Sequence, residues 1–353
     1  MSDQDTHPNK YSELRSMCKD YIDSYNALYQ LKTENEEEIN KIYKKIKTEL
    51  IDPKKCLPHT IIKDILCIIP FNNRYTKAYL SLAKLIYDDY QIKKEIDVPL
   101  TIAYLFYKEY GIKLTKPNNL ETFNFESLNI HLEDTIYRAI MYNDLERFIF
   151  FTEREGFDKD QKLECDLYPY TICGYSLLEL CCYHGSVDCF KLLRTKFSSE
   201  ITQKCLKFSF LGRNKEIMSE CLKYQTPNEE CMKYAIISHN IDFVTFLMNE
   251  YNIEIHLEYC INYNNLESFS VYYDQTDDVN KCFFYSARFN IPSLVDYFLS
   301  HGANINEKDE KGFTVLHTAA IINCKELFEF LISHGANINE KGNDGKPPFI
   351  LQH

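Results

Sequence analysis

The sequence contains no tryptophan, no apolar run long enough to cross a bilayer and no excess of positive charge. Its 40 Lys and Arg residues are outnumbered by 52 Asp and Glu residues, which gives a formal net charge of −12. Nucleic acids and anionic membrane surfaces are bound by clustered Lys and Arg, so this balance argues against both as the main partner. The longest apolar candidate, TIIKDILCIIPF, carries two charges and falls short of the roughly 20 residues that a transmembrane helix needs. We therefore predict no nucleic-acid partner and no membrane insertion.

Targeting and glycosylation signals are missing as well. The N-terminal residues lack the basic segment and apolar core of a secretory signal, and no Asn-x-Ser/Thr sequence occurs. These absences predict a cytoplasmic protein, with the nucleus as the other possibility.

The 14 cysteines include no C-x₂-C pair of the kind that binds zinc. Their densest group is CCYHGSVDC at 181–189, in which Cys181, Cys182, His184 and Cys189 are candidate metal ligands. The alternative is a set of free cysteines in a core, where a thiol behaves as a small apolar group. The repeat pattern described below favours the core, so we predict no metal site and no cofactor.

Motifs for catalysis are also absent: the chain has no nucleotide-binding glycine loop, nucleophile elbow, zinc-protease helix or EF-hand loop. An enzyme would need a pocket that perturbs a carboxylate or a thiol, such as that of Cys182. The sequence therefore predicts a protein that is not an enzyme and has no small-molecule substrate.

What the sequence does contain is an identical repeat. The octapeptide HGANINEK occupies residues 301–308 and recurs at 334–341, after 33 residues. Gly302 suits the left-handed conformation that ends many helices, and the polar residues after it favour a turn. Thr314 can cap a following helix, and the apolar residues within 327–331 predict a second one.

The segment between the two copies resembles the ankyrin repeat, whose period is 33 residues. The residues that match the ankyrin pattern are Asp309, Gly312, Thr314, Leu316, His317, Ala319 and Ala320. The resemblance implies that His317 forms a local hydrogen bond that steadies the hairpin. It also implies a protein partner, contacted by the hairpin tip and by the exposed side of the first helix.

Six residues fall on these partner-binding positions. They are Glu310, Lys311 and Phe313 at the tip, and Thr318, Ile321 and Ile322 on the first helix. Exposed apolar side chains there are candidate anchors for a partner. The alternative is that Phe313 and Ile321 merely pack against the next repeat.

A weaker form of the pattern runs upstream. It has a small residue, a Gly, Asn or polar residue four positions later and, in most copies, an acid three positions after that. The small residues are Ala139, Cys181, Ser209, Ala235, Cys260, Ser286 and Ala319. Their intervals of 42, 28, 26, 25, 26 and 33 residues suit pairs of short helices, most of them without a projecting hairpin. The longest interval leaves room for a finger or loop at 154–174.

These features predict an all-α fold, an α-solenoid of ankyrin-type helix pairs with a helical N-terminal region. The compact pairs resemble a degenerate helical-pair domain, of uncharacterised function, that precedes ankyrin repeats in large families of parasitic protists. We expect a disordered tail at 1–9, a helical region at 10–113, a loop at 114–130, degenerate pairs at 131–300, an ankyrin repeat with flanking hairpins at 301–344 and a truncated, frayed repeat at 345–353. The N-terminal helices are expected to cover the first pair, and residues 345–353 to exchange their amide protons rapidly.

Function follows from this architecture as a hypothesis: a non-enzymatic scaffold or adaptor that binds a protein partner of unknown identity. An alternative comes from residues 57–91, where a ubiquitin-ligase scaffold would dock while the repeats hold a substrate. The residues whose pattern resembles that of an F-box are Leu57, Pro58, Ile61, Ile65, Leu66 and Pro70. An ordinary helix start at Pro58 explains the same pattern, and the later tryptophan position of an F-box is not evident.

Overall fold

The computed structural model describes residues 9–53, 55–115, 134–169, 172–343 and 345–348. Residues 1–8 of the expected tail, 116–130 of the expected loop and 349–353 of the expected frayed segment lie outside these ranges. The chain divides into two compact units. The terminal unit comprises Met1–Tyr25, Asp52–Cys56 and Ile255–His353, and the central unit comprises Asn26–Ile51 and Leu57–Glu254.

The N-terminal third is helical, as the sequence predicts. Its helices are α1 (Lys10–Met17), α2 (Lys19–Tyr29), α3 (Glu36–Ile46), α4 (Pro58–Ile68), α5 (Thr76–Asp89) and α6 (Leu100–Tyr110). A π-helical turn, Lys47–Ile51, follows α3, and two 3₁₀ turns, Ile69–Phe71 and Asn73–Tyr75, join α4 to α5. In the central unit, α5 packs against both α3 and α4.

Local sequence explains where these helices begin and end. The side chain of Asn35 accepts hydrogen bonds from the amides of Glu37 and Glu38 at 2.9 and 3.2 Å, and so caps α3. Pro58 occupies the first turn of α4, where its missing N–H costs nothing. Helix α6 ends at Gly111, which has a φ of 69°.

Seven helix pairs follow. They are α7/α8 (Ile136–Tyr142, Leu145–Thr152), α9/α10 (Leu177–His184, Val187–Lys196), α11/α12 (Gln203–Gly212, Lys215–Leu222), α13/α14 (Glu229–Ile237, Ile241–Tyr251), α15/α16 (Leu257–Asn262, Leu266–Thr276), α17/α18 (Val279–Ser286, Pro292–Ser300) and α19/α20 (Val315–Ile321, Lys325–Ser333). Within the central unit the first helices α7, α9, α11 and α13 pack in succession, and within the terminal unit α15, α17 and α19 do the same. The structure confirms the predicted all-α solenoid of helix pairs.

The predicted small position is confirmed in every pair. All seven small residues lie in first helices and are buried, with at most 3% of their surface exposed. Four positions later the backbone turns left-handed each time. These residues are Asn143, Gly185, Arg213, His239, Asn264, Asn290 and Asn323, with φ between 51° and 69°. A single left-handed residue ends each first helix and lets the second helix fold back along it.

The long interval between the first two pairs holds a short hairpin. Strand β1 (Lys162–Leu163) pairs antiparallel with β2 (Tyr175–Ser176), and Leu163 lies opposite Tyr175. Ser176 then caps α9, because its hydroxyl accepts the amide of Glu179 at 3.2 Å. Of the stretch expected to hold a finger or loop, 154–174, strand β1 is a part, and its partner β2 follows directly after it.

Helix α1 packs within the terminal unit, against α16 of the fifth pair, which the sequence did not predict. Arg15 donates from Nε to Glu267 at 2.9 Å, and the Tyr11 hydroxyl donates to the same carboxylate at 3.0 Å. Because these partners are more than 250 residues apart, the sequence pattern offered no sign of the contact. Within the central unit, the turn before α5 reaches the first pair, where the Arg74 guanidinium lies 5.9 Å from the ring centre of Tyr142.

Candidate functional site

The two copies of HGANINEK adopt the same structure. Gly302 and Gly335 have φ values of 91° and 93°, and each follows the end of a second helix. In both copies the histidine ring contacts a helix carbonyl: His301 Nδ1 lies 2.7 Å from Tyr297 O, and His334 Nδ1 lies 2.8 Å from Phe330 O. The octapeptide is thus a connector that stops one helix and enters a turn.

The copies also bond to each other through their asparagines. The Asn337 amide donates to Asn306 Oδ1 at 2.9 Å, and the Asn304 amide donates in the same way to Asn280 Oδ1 at 2.9 Å. Lys308 forms an ion pair with Glu340 at 2.6 Å, and its hydrogen bond holds the pKa of the Glu340 carboxyl below its usual value. Neighbouring connectors are therefore held side by side.

A tight turn at Asp309 forms the tip of the hairpin. The carboxylate of Asp309 accepts the amides of Lys311 at 3.0 Å and Phe313 at 2.7 Å, and the Asp309 amide donates to Phe313 O. Gly312 has a φ of 76°, and a Cβ there would lie 2.5 Å from Asn343 Oδ1. The tip is thus fixed by its own backbone and by the next connector.

His317 has the local role that the ankyrin resemblance implies. Its Nδ1 accepts the amide of Thr314 at 3.0 Å, so the ring proton resides on Nε2, which lies 3.3 Å from Lys346 O. The side chain is fully buried. It joins the start of α19 to residue 346, beyond the second connector.

All six sequence-predicted partner-binding residues line one cleft of about 690 Å³ in the terminal unit. Glu310 and Lys311 are exposed, Phe313 and Ile322 are half-buried, and Thr318 is buried. Ile321 is 56% exposed. Phe313 packs on the ring of His317 in its own repeat, with 5.2 Å between ring centroids. The structure thus brings the six residues together around a concave surface.

The opposite wall comes from α17 of the preceding pair, which sequence reasoning missed. Phe284 and Tyr285 are half-buried there, and Arg288 lies beside them, 3.4 Å from Asn262 Oδ1. Burial raises the pKa of the Tyr285 phenol. The signal was available in the repeat register: Tyr285 and Arg288 stand at the same offsets from Ser286 as Thr318 and Ile321 do from Ala319.

Both signs of charge surround this apolar surface. The acidic residues of the cleft are Glu258, Asp278, Glu307, Asp309 and Glu310, and the basic ones are Lys281, Arg288, Lys308 and Lys311. A hydrogen bond to Tyr272 raises the pKa of Lys281. An apolar centre with a charged rim is the arrangement found in protein interfaces.

The cysteine group at 181–189 lies in the core. Cys181, Cys182 and Cys189 are fully buried, and His184 Nε2 lies 2.8 Å from the Tyr168 hydroxyl. Burial raises the pKa of the Cys182 thiol well above its usual value, which disfavours the thiolate that a nucleophile needs. Within the described ranges, no three His, Cys, Asp or Glu side chains come together as a set that could hold a metal ion.

The F-box-like residues are mostly internal. Ile61, Ile65 and Leu66 are fully buried in the central unit, while Leu57 is 54% exposed. Among the residues that the structure describes, no helix combines the length and apolarity needed to cross a bilayer.

Family models match two overlapping parts of the chain. Residues 197–272 match a domain of unknown function, DUF3447, and residues 257–342 match a model of three ankyrin repeats. No curated protein matches the chain. Among solved structures, the chain is similar to the human ASB11 ankyrin repeat domain, with 15% identity, a TM-score of 0.31, and coverage of 62% of this chain and 91% of that one.

It is also similar to the ankyrin repeat domain of Bcl-3, a member of the IkappaB protein family, with 17% identity and a TM-score of 0.27. That match covers 63% of this chain and 95% of the other. The family models confirm the resemblance to ankyrin repeats that the two copies of HGANINEK and the spacing of the repeats predict. The chain contains ankyrin repeats over residues 257–342, preceded by a domain of unknown function that shares residues 257–272 with them.

Proposed function

We propose that this protein is a scaffold or adaptor that binds a protein partner in the cleft between α17 and α19. Ankyrin repeats are interaction modules, and the cleft lies within them. The observation that carries the proposal is the convergence of all six predicted positions with Phe284 and Tyr285 on one concave surface. The partner is expected to insert an apolar side chain near Ile321 and to present charges of both signs to the rim.

The proposal includes the absence of catalysis and a cytoplasmic or nuclear location. Among the described residues that line the cleft there is no histidine or cysteine, and each of its acids is exposed or half-buried. General acid–base catalysis relies on groups whose pKa is shifted by a pocket. We therefore assign the cleft to recognition.

The test is affinity capture of the full chain from its native cell, followed by quantitative mass spectrometry. Ile321→Asp, and Glu310→Ala combined with Phe313→Ala, should remove the specific partner. Ile332→Asp is the matched control, because Ile332 is a 38% exposed isoleucine on α20 outside the cleft. With purified partner, Ile321→Asp should weaken binding about tenfold or more. The same partners in all samples would contradict the proposal.

The ubiquitin-ligase adaptor is the weaker proposal. Ile61, Ile65 and Leu66 contribute to the core of their own unit and are not available to a docking protein. Among the six F-box-like residues, Leu57 is the exposed one. Recovery of a ligase scaffold in the same capture, lost on Leu57→Asp and kept in Ile321→Asp, would favour it over the cleft.

A further inference from the structure

A second cavity, of about 220 Å³, lies in the central unit and is lined by three cationic side chains. Lys32, Arg74 and Arg213 line it together with the end of α9 and the end of α11. Among the described residues around it, none is Asp or Glu. In a chain with a net charge of −12, three cationic side chains around one small space without a carboxylate are unexpected.

Close packing of two helix ends brings Arg213 to this cavity. Gly185, after α9, meets Gly212, the last residue of α11, so closely that a Cβ on Gly212 would overlap Cys182 O. Arg213 is the left-handed residue that ends α11, with a φ of 53°. Its Nη2 donates to Tyr29 O at 2.9 Å and to Ser238 O at 2.8 Å, which fixes the guanidinium.

Arg74 approaches from the 3₁₀ turn before α5. Its Nη2 donates to His184 O at 2.9 Å. The Nε of Arg74 and the Nε of Arg213 are both buried, and neither has a hydrogen-bond partner among the residues that the structure describes. The acceptors that these two residues do have are neutral carbonyl oxygens.

No carboxylate among the described residues that line the cavity offsets the charge of the two guanidinium groups. The two like charges also repel each other. Burial lowers the pKa of Arg213. A dianion in the cavity would supply charge opposite to that of Arg74, Arg213 and Lys32. Lys32 is exposed, so the cavity is reachable from solvent.

We propose that this cavity binds a phosphate group through Arg74, Arg213 and Lys32. Guanidinium groups match the oxygens of phosphate with charge-assisted hydrogen bonds, and three positive charges favour a dianion over a carboxylate. The volume is below the roughly 300–1,000 Å³ of sites for drug-sized ligands, so the ligand is inorganic phosphate or the phosphate of a small monoester. The site is independent of the partner cleft.

The test is thermal unfolding and titration calorimetry of the full chain with inorganic phosphate, glycerol phosphate and acetate, each against NaCl at equal ionic strength. Phosphate should raise the unfolding temperature in a saturable way that NaCl does not reproduce. Tighter binding of glycerol phosphate than of inorganic phosphate would identify a monoester, and the reverse order would identify the free ion. Acetate that binds as tightly as either phosphate would overturn the proposal.

Variants locate the site. Arg74→Gln should weaken phosphate binding at least about tenfold, and so should Arg213→Asn, which keeps a residue that tolerates the left-handed backbone. Lys32→Ala changes an exposed side chain, so it tests the site even if an arginine variant fails to fold. Arg194→Gln is the matched control: its Nε is also buried and unpartnered, but it does not line the cavity. No saturable binding, or equal binding in all variants, would overturn the proposal.

Discussion

At the scale of single residues, one backbone conformation repeats through the array. Each of the seven first helices is followed, within one to four residues, by a residue with positive φ, and glycine occupies only one of these positions. Four are asparagines, which tolerate this conformation better than other side chains do. The other two, Arg213 and His239, have side chains with tertiary partners: Arg213 bonds to two carbonyls, and His239 Nδ1 lies 2.8 Å from Asn26 Oδ1. Arg213 and His239 are less suited to the left-handed conformation than Gly or Asn, and both make tertiary contacts.

Gly212 is required for a different reason, the close approach of two helix ends. In Gly212→Ala the new methyl group would meet Cys182 O and the Gly185 amide, both backbone atoms that cannot swing away. We expect a loss of about 3 kcal/mol in the free energy of unfolding, at the upper end for overpacking. Urea denaturation followed by circular dichroism measures it. Gly111→Ala is the control in the same unit, because nothing lies within 4 Å of its Cβ position and only the left-handed backbone opposes it. Equal losses would contradict the explanation.

At the scale of elements, helix α1 depends on α16 for its polar contacts. Glu267 is 9% exposed and accepts from both Arg15 and Tyr11. Burial, together with the neighbouring carboxylate, raises the pKa of Tyr11 to about 12. Arg15 also pairs with Asp23 at 2.5 Å. Glu267 is thus a nearly buried carboxylate with two donors from α1, and Asp274 of α16 and Tyr297 of α18 also bond to this helix.

Arg15→Ala removes the guanidinium from this buried carboxylate. We expect the free energy of unfolding to fall by about 1–3 kcal/mol, the cost of a hydrogen bond to a buried charged group. Hydrogen exchange should rise first in Lys10–Met17. Lys45→Ala, which breaks the more exposed pair with Glu49, should cause no measurable change. If both variants behave alike, Glu267 does not anchor α1.

At the scale of the whole molecule, the many buried thiols and phenols make stability sensitive to alkali. Burial raises the pKa of Cys18 and Cys189 to about 12, and that of Cys67 and Cys231 to about 11, from an ordinary value of 9.0. The folded state keeps these protons while the unfolded state loses them. Stability is therefore complete below the ordinary thiol pKa and declines as the pH rises from there toward the folded-state values.

We expect the urea midpoint to be level between about pH 6 and pH 8 and to fall steeply above about pH 9. Cys189→Ala should make that fall shallower, because it removes one of the shifted thiols. Cys173→Ala should leave the profile unchanged, because Cys173 is exposed. A midpoint that stays level up to about pH 11 would contradict the role of the buried thiols.

The repeating unit could be predicted from the amino-acid sequence. The unit consists of local features: a small residue, a left-handed residue four positions later and the start of a second helix. Neighbouring residues in the sequence are therefore enough to predict a buried small residue and a helix end, as at Cys181 with Gly185 or Ala319 with Asn323. The six candidate positions on α19 and its hairpin followed from the ankyrin pattern in the same way. The two cysteines of α9 were likewise predicted as core residues by their place in the repeat.

Contacts between residues that are distant in the sequence could not be predicted in this way. Tyr285 and Arg288 join Ile321 in one cleft, Arg15 reaches Glu267 across 252 positions, and Arg74 shares a cavity with Arg213. Helical periodicity predicts on which face of a helix a side chain lies, but not which residue of another helix it contacts. Which residues meet depends on how all the intervening helices pack. The close contact of Gly185 with Gly212, for example, helps to bring Arg213 to the cavity that Arg74 also lines.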